Sequence, residues 1–169
     1  MAILLFSKLV VCLGVLSFSR VALSLGKTDT ITWGGDVSRT GYETTHNLDP
    51  QTVSSSDFGN IWTAKPPGNF NGIGAEQVLS QPLVYTTGDG IQYVFVATTQ
   101  NNLYKINAKT GDVVKSRNIG VPFLTADIGG CNDIFPAIGV SGTGVIDPAT
   151  GLWYLTSKTY SESVSPLQS

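Results

Sequence analysis

Asp127, Asn132, Asp133 and Asp147 are the residues of this chain whose side chains could most readily do chemistry together. Their oxygens could ligate calcium, which takes about six to eight oxygen donors. Their spacing forms no compact loop motif, and Asx residues in such positions commonly bond their own backbone in turns. No metal site is therefore expected, with Asp127, Asn132 and Asp133 as the candidates if one exists. Gly139-Val140-Ser141-Gly142-Thr143 has the outline of a nucleophile elbow, but that motif needs glycine two residues after the serine, where Thr143 stands. The one histidine, His46, lies in a polar stretch early in the chain, so no Ser141/His46 pair and no catalytic residue is expected. The Gly139–Gly144 stretch also lacks the Lys-Ser/Thr of a phosphate loop. Cys131 sits between Asp127 and Asp133, an acidic setting that disfavours a reactive thiolate. Trp62, Tyr93, Phe95, Trp153 and Tyr154 fall on apolar runs, where aromatics usually pack across strands. A sugar-stacking platform is the functional alternative for them.

The elements that would position these residues are β-strands. The chain has 169 residues, 19 glycines and 8 prolines, and its charged share of 13% is about half that of ordinary soluble chains. No A/E/K/L/R-rich periodic stretch suggests a bundle or coiled coil. With 12 acidic residues against 10 basic ones, scattered along the chain, a nucleic-acid-binding domain is not expected.

Residues 1–24 read as a secretory signal peptide. Lys8 precedes the apolar run Leu9–Phe18, and Ala22-Leu23-Ser24 places small residues at −3 and −1 of a cleavage site. The run is too short for a transmembrane helix of ~20 residues, so a secreted product starting at Leu25, without a membrane anchor, is expected. Cleavage removes Lys8, Arg20 and Cys12, leaving a net charge of −4 and Cys131 as an unpaired cysteine. No Asn-x-Ser/Thr sequon occurs.

Residues 25–57 are polar and turn-rich and predict an irregular lead-in. Phe58–Thr63 is a strand candidate that stops at Lys65-Pro66-Pro67-Gly68. Gln77–Tyr85 follows, with Pro82 marking an edge or bulge. Tyr93–Thr98, Leu103–Asn107 and Val113–Asn118 are separated by Gly- and Asn-containing turns. The four runs predict an antiparallel meander. A longer connection spans 119–139, after which Thr143–Asp147 and Leu152–Ser157 form a pair resembling the strands at 81–85 and 93–98, Val84 matching Ile146 and Tyr93 matching Trp153.

Leu103-Tyr104-Lys105-Ile106-Asn107-Ala108-Lys109-Thr110-Gly111 resembles the repeat of pyrroloquinoline-quinone-type (quinoprotein-like) β-propellers, in which an aspartate and a Thr-Gly turn join two strands of a blade. Asp147-Pro148-Ala149-Thr150-Gly151 looks like a second copy of that turn, and Trp33 with Arg39-Thr40-Gly41 is similar to the family's opening segment. The resemblance covers roughly residues 31–160. It implies an all-β fold of antiparallel four-stranded meander blades, with a full blade at about 77–120, a half blade at about 141–158 and a non-propeller tail at 161–169. Asn107, Ala108, Thr110, Gly111, Asp147, Pro148, Thr150 and Gly151 are its structural motif residues.

The chain departs from the repeat at three places. The family's blade-docking tryptophan, four residues after the Thr-Gly glycine, is Lys115 here; the repeat aspartate is Asn107; and the small residue two before it is Lys105. The vicinal cysteine pair of dehydrogenase members is absent. Propellers close at about four to eight blades, so one and a half blades imply an incomplete propeller, a truncated product or a fragment. The expected function is an exported, non-catalytic binding or scaffold role in the complete form. The alternatives are a remnant of a quinone-dependent oxidoreductase lineage and a small β-domain completed by self-association through open strand edges. Pyrroloquinoline quinone and calcium are expected only in a full-length relative.

Overall fold

The computed structural model describes residues 28–43, 49–72, 74–129 and 133–161. The expected signal peptide, His46, Cys131, Asn132 and all but the first residue of the expected tail lie outside these residues.

The meander predicted from alternation and turn residues is the centre of the structure. Strands β1 (Leu83–Thr86), β2 (Gln92–Ala97), β3 (Asn102–Asn107) and β4 (Val113–Asn118) pair antiparallel in chain order. In register, Leu83 faces Phe95, Val94 faces Ile106, Val96 faces Tyr104, and Lys105 faces Lys115. The β3–β4 ladder shifts between Lys105 and Ile106, a bulge that places Val113 opposite Ile106.

Both faces of this sheet bury apolar side chains, because each strand alternates between two different coverings. On one face Leu83 and Tyr85 pack with Ile31 and Ile146, flanked by Phe95 and Trp153. On the other Val96, Tyr104 and Ile106 pack with Val94, Trp62 and Ala64. The first covering is completed by the hairpin of β7 (Val145–Asp147) and β8 (Leu152–Tyr154), joined to the early chain where the Ile146 N–H donates to the Ile31 carbonyl at 2.8 Å. The β1 edge is partly closed by Thr30, which exchanges two backbone hydrogen bonds with Val84. The β4 edge is not: all six of its residues are exposed.

Several expectations need correction. Phe58–Thr63 is not a strand. The segment crosses the sheet face, held by the Trp62 indole on the Ala108 carbonyl, turning Trp62 inward while Ile61 is 78% exposed. Gln77–Tyr85 is a strand only from Leu83, since Pro82 has no N–H and the amides of Gln77 and Gln81 donate to the hydroxyls of Thr99 and Thr143. The connection at 119–139 carries its own two-residue ladder, β5 (Phe123–Leu124) with β6 (Ala137–Ile138), and a single 3-10 turn at Thr125–Ile128. The lead-in also contains one helical turn, α1 (Pro50–Ser54), capped by Asp49, whose carboxylate accepts from the amides of Gln51 and Thr52. The second pair of strands is shorter than predicted, β8 ending at Tyr154 rather than Ser157.

Candidate functional site

The two Thr-Gly turns have the same construction. In the first, the Asn107 side-chain oxygen accepts from the amides of Lys109 (2.9 Å) and Thr110 (3.2 Å), and the Gly111 amide donates to the Asn107 carbonyl. In the second, Asp147 accepts from the Ala149 amide (2.9 Å) and the Thr150 hydroxyl (2.8 Å), and the Gly151 amide donates to the Asp147 carbonyl. Gly111 and Gly151 close these turns at φ +78° and +70°, a region that costs an L-residue about 1–2 kcal/mol. The Thr150 hydroxyl, aided by the Ala149 amide, holds the Asp147 carboxyl below the ordinary range. Asp147 is therefore occupied with its own turn.

Trp62, from the segment before the meander, packs on the first turn. Its ring lies against Gly111, and its indole N–H donates to the Ala108 carbonyl at 2.8 Å. Below it an apolar recess of about 290 Å³ lies among Trp62, Pro66, Val78, Val94, Ile106 and Val113.

A polar centre that sequence reasoning missed surrounds Glu76. This carboxylate is buried and accepts hydrogen bonds from the Thr98 hydroxyl (2.6 Å), the Tyr104 hydroxyl (2.5 Å), the Asn102 amide group (2.8 Å) and the Gly68 N–H (2.6 Å). Burial pushes its carboxyl up, but the bonds from Thr98, Tyr104, Asn102 and Gly68 outweigh it and leave the carboxyl below its usual value. Burial, and then the carboxylate itself, push the Tyr104 phenol up. Next to it, the turn Thr98–Asn101 is 0–1% exposed. Gln100 accepts from the Phe70 amide and donates to the Gly74 carbonyl, Asn101 donates to the Lys158 carbonyl, and the Val140 amide donates to the Thr98 carbonyl. Three chain segments thus meet on one buried turn. No local signal marks Glu76, since its donors lie more than twenty positions away except for Gly68.

The other predicted residues are dispersed. Asp127 is exposed and accepts from the Tyr160 hydroxyl; Asp133 is exposed on the same connection. Among the described residues no group of three or more His, Cys, Asp or Glu is arranged to hold a metal ion. Around Ser141 the glycines serve close packing: a β-carbon at Gly139 would overlap the Asn101 side chain, and Thr143 accepts from the Gln81 amide. Of the aromatics, Phe95 and Trp153 meet edge to face with ring centres 5.8 Å apart, Tyr93 is buried, and Tyr154 is exposed. No described helix is long and apolar enough to cross a membrane.

No protein-family model, curated protein or solved structure matches this chain.

Proposed function

We propose that this chain is an exported, non-catalytic binding module of quinoprotein-like propeller type. The observation that supports this is the seating of Trp62 on the Asn107–Gly111 turn, which gives the repeat-like turn a packed tryptophan, as blade-docking tryptophans give the blades of the family the sequence resembles. It is supplied by the segment before the meander although position 115 holds lysine. The repetition of the same turn at Asp147–Gly151, on the opposite side of the sheet core, supports the same lineage. The carboxylates of Glu76, Asp147 and Asp49 are all engaged in holding backbone or hydroxyl donors, which suits a scaffold. Export rests on the Leu9–Phe18 run and the Ala22-Leu23-Ser24 site.

Two measurements on the protein purified from its host's medium test this. Its N-terminus is expected at Leu25; a chain still starting at Met1 overturns export. Its melting temperature is expected to stay constant on adding pyrroloquinoline quinone with calcium, because a ligand that binds only the native state must raise stability, by ~2.7 kcal/mol at a hundredfold excess over Kd. A clear rise would move the chain to the oxidoreductase lineage.

Self-association is the second reading, favoured by the unpaired β4 edge with Val113 and Val114 exposed. Lys115 and Arg117 on that strand oppose it, since charged side chains blunt edge-to-edge pairing.

A further inference from the structure

The sheet face covered by the β7–β8 hairpin turns from apolar to cationic towards its outer strands. Across the ladder, Phe95, Lys105 and Lys115 form one row, and Ala97, Leu103 and Arg117 the next. Like charges directly opposite one another disfavour a strand pair, so the Lys105–Lys115 pairing is a cost to the fold. Lys105 rests its ammonium 3.6 Å from the centre of the Tyr93 ring. It also contributes to holding the Asp89 carboxyl below its ordinary range, after the hydrogen bonds from the Thr87 hydroxyl and the Ile91 amide. The side chains of Lys115 and Arg117 have no hydrogen-bond or ion-pair partner among the described residues. With Phe95 and Trp153 these three cations border a groove of about 240 Å³ whose lining contains no acidic residue.

We propose that this groove binds a carboxylate carried on a single flat-faced ring, as in sugar acids and aryl acids. The guanidinium of Arg117 presents a planar fork that matches a carboxylate, and Lys115 adds charge beside it. The Phe95–Trp153 pair supplies the apolar wall for the ring face. The size selects a small ligand, because pockets for drug-sized molecules begin at about 300 Å³. Charge selects it too: the chain as a whole is net negative, so a long polyanion would meet repulsion beyond the groove. The ligand class deepens the scaffold reading and rests on it only for the premise that the module binds something.

The test is calorimetric titration of the full chain with glucuronate and with benzoate, beside the uncharged methyl glucoside and benzyl alcohol. Binding of one acid, weakened at high salt and weakened at least ~tenfold in K115Q/R117Q, supports the proposal and names the ligand's source, sugar or aryl. Both replaced side chains are exposed and K115Q relieves the repulsion from Lys105, so the double variant should melt at or slightly above the parent, which checks its fold. Binding of neither acid, equal binding of the uncharged analogues, or acid binding unaffected by K115Q/R117Q overturns the proposal. So does binding of single-stranded DNA through Lys115 and Arg117 in place of the acids. Each of these failures leaves the Trp62 contact and the quinone titration intact, so the scaffold reading fails or stands separately.

Discussion

A β-carbon placed on Gly111 would stand 2.8 Å from the indole of Trp62, whereas one on Gly151, in the equivalent turn, would have the Tyr85 hydroxyl as its nearest neighbour at 4.0 Å. The two turns share their backbone geometry and differ in what lies over them. G151A should therefore cost only the left-handed conformation, about 1–2 kcal/mol. G111A should add an overpacking cost of about 1–3 kcal/mol. Urea midpoints of the two variants check this, and equal losses would show that the Trp62 ring yields without cost.

Trp62 itself combines packing with a hydrogen bond. W62F should keep most of the packing but leave the Ala108 carbonyl without its donor, a loss of about 1 kcal/mol. W62A should also open space beside Val96, Tyr104 and Ile106 and lose about 3 kcal/mol or more. If the two variants unfold alike, the contact is made by the N–H alone.

Glu76 gives the fold an acid limit. Its carboxyl is held below the ordinary value of 4.5, so its stabilising effect is complete above that pH and is lost as pH falls through the folded value. Tyr104 behaves in the opposite sense. Its phenol is raised above 10.0, so its share is complete below that pH and is lost as pH rises through the folded value. E76A, which strands buried donors, should cost about 3 kcal/mol at neutral pH, measured by chemical denaturation. E76Q should flatten the fall in stability below pH 4.5; an unchanged acid limb would place its origin in other carboxylates.

The β4 edge should remain unpaired only while it is charged. In K115V/R117V the strand becomes a continuous apolar edge from Val113, and the protein should form concentration-dependent oligomers by size-exclusion chromatography with light scattering. A variant that stays at the parent's mass would show that the Lys105–Ile106 bulge protects the edge without help from charge.

The meander was legible because its signals are local. Alternation along Leu103–Asn107 and the Thr-Gly turn after it need no knowledge of the rest of the chain, and β4 occupies the span predicted for the run that follows that turn. Phe58–Thr63 shows where that ends. Its composition suits a strand, but Trp62 is drawn across the sheet face onto the Asn107–Gly111 turn, a long-range contact that overrides local propensity. The ladder of Phe123–Leu124 with Ala137–Ile138 is too short to leave a period. Glu76 was hidden for a stronger reason: an acid beside a glycine-rich loop looks solvated, and its burial is created by side chains from β3 and the turn before it that reach it only in the folded chain.

The turn Thr98–Asn101 inverts the usual map of mutational tolerance. Polar residues between two strands are ordinarily where insertions and replacements do least harm, and hydropathy would nominate these four for labelling, loop grafting or drift. Because they are sealed from solvent and bind the loop at Phe70, the β4 end and the segment after β8 at once, a library randomised there should be nearly as depleted as one at Leu83. The strand residues whose replacement leaves the core untouched are instead those of β4, all six of them exposed. In this protein the positions free to evolve a new surface lie in regular secondary structure, and the immovable ones lie in a loop.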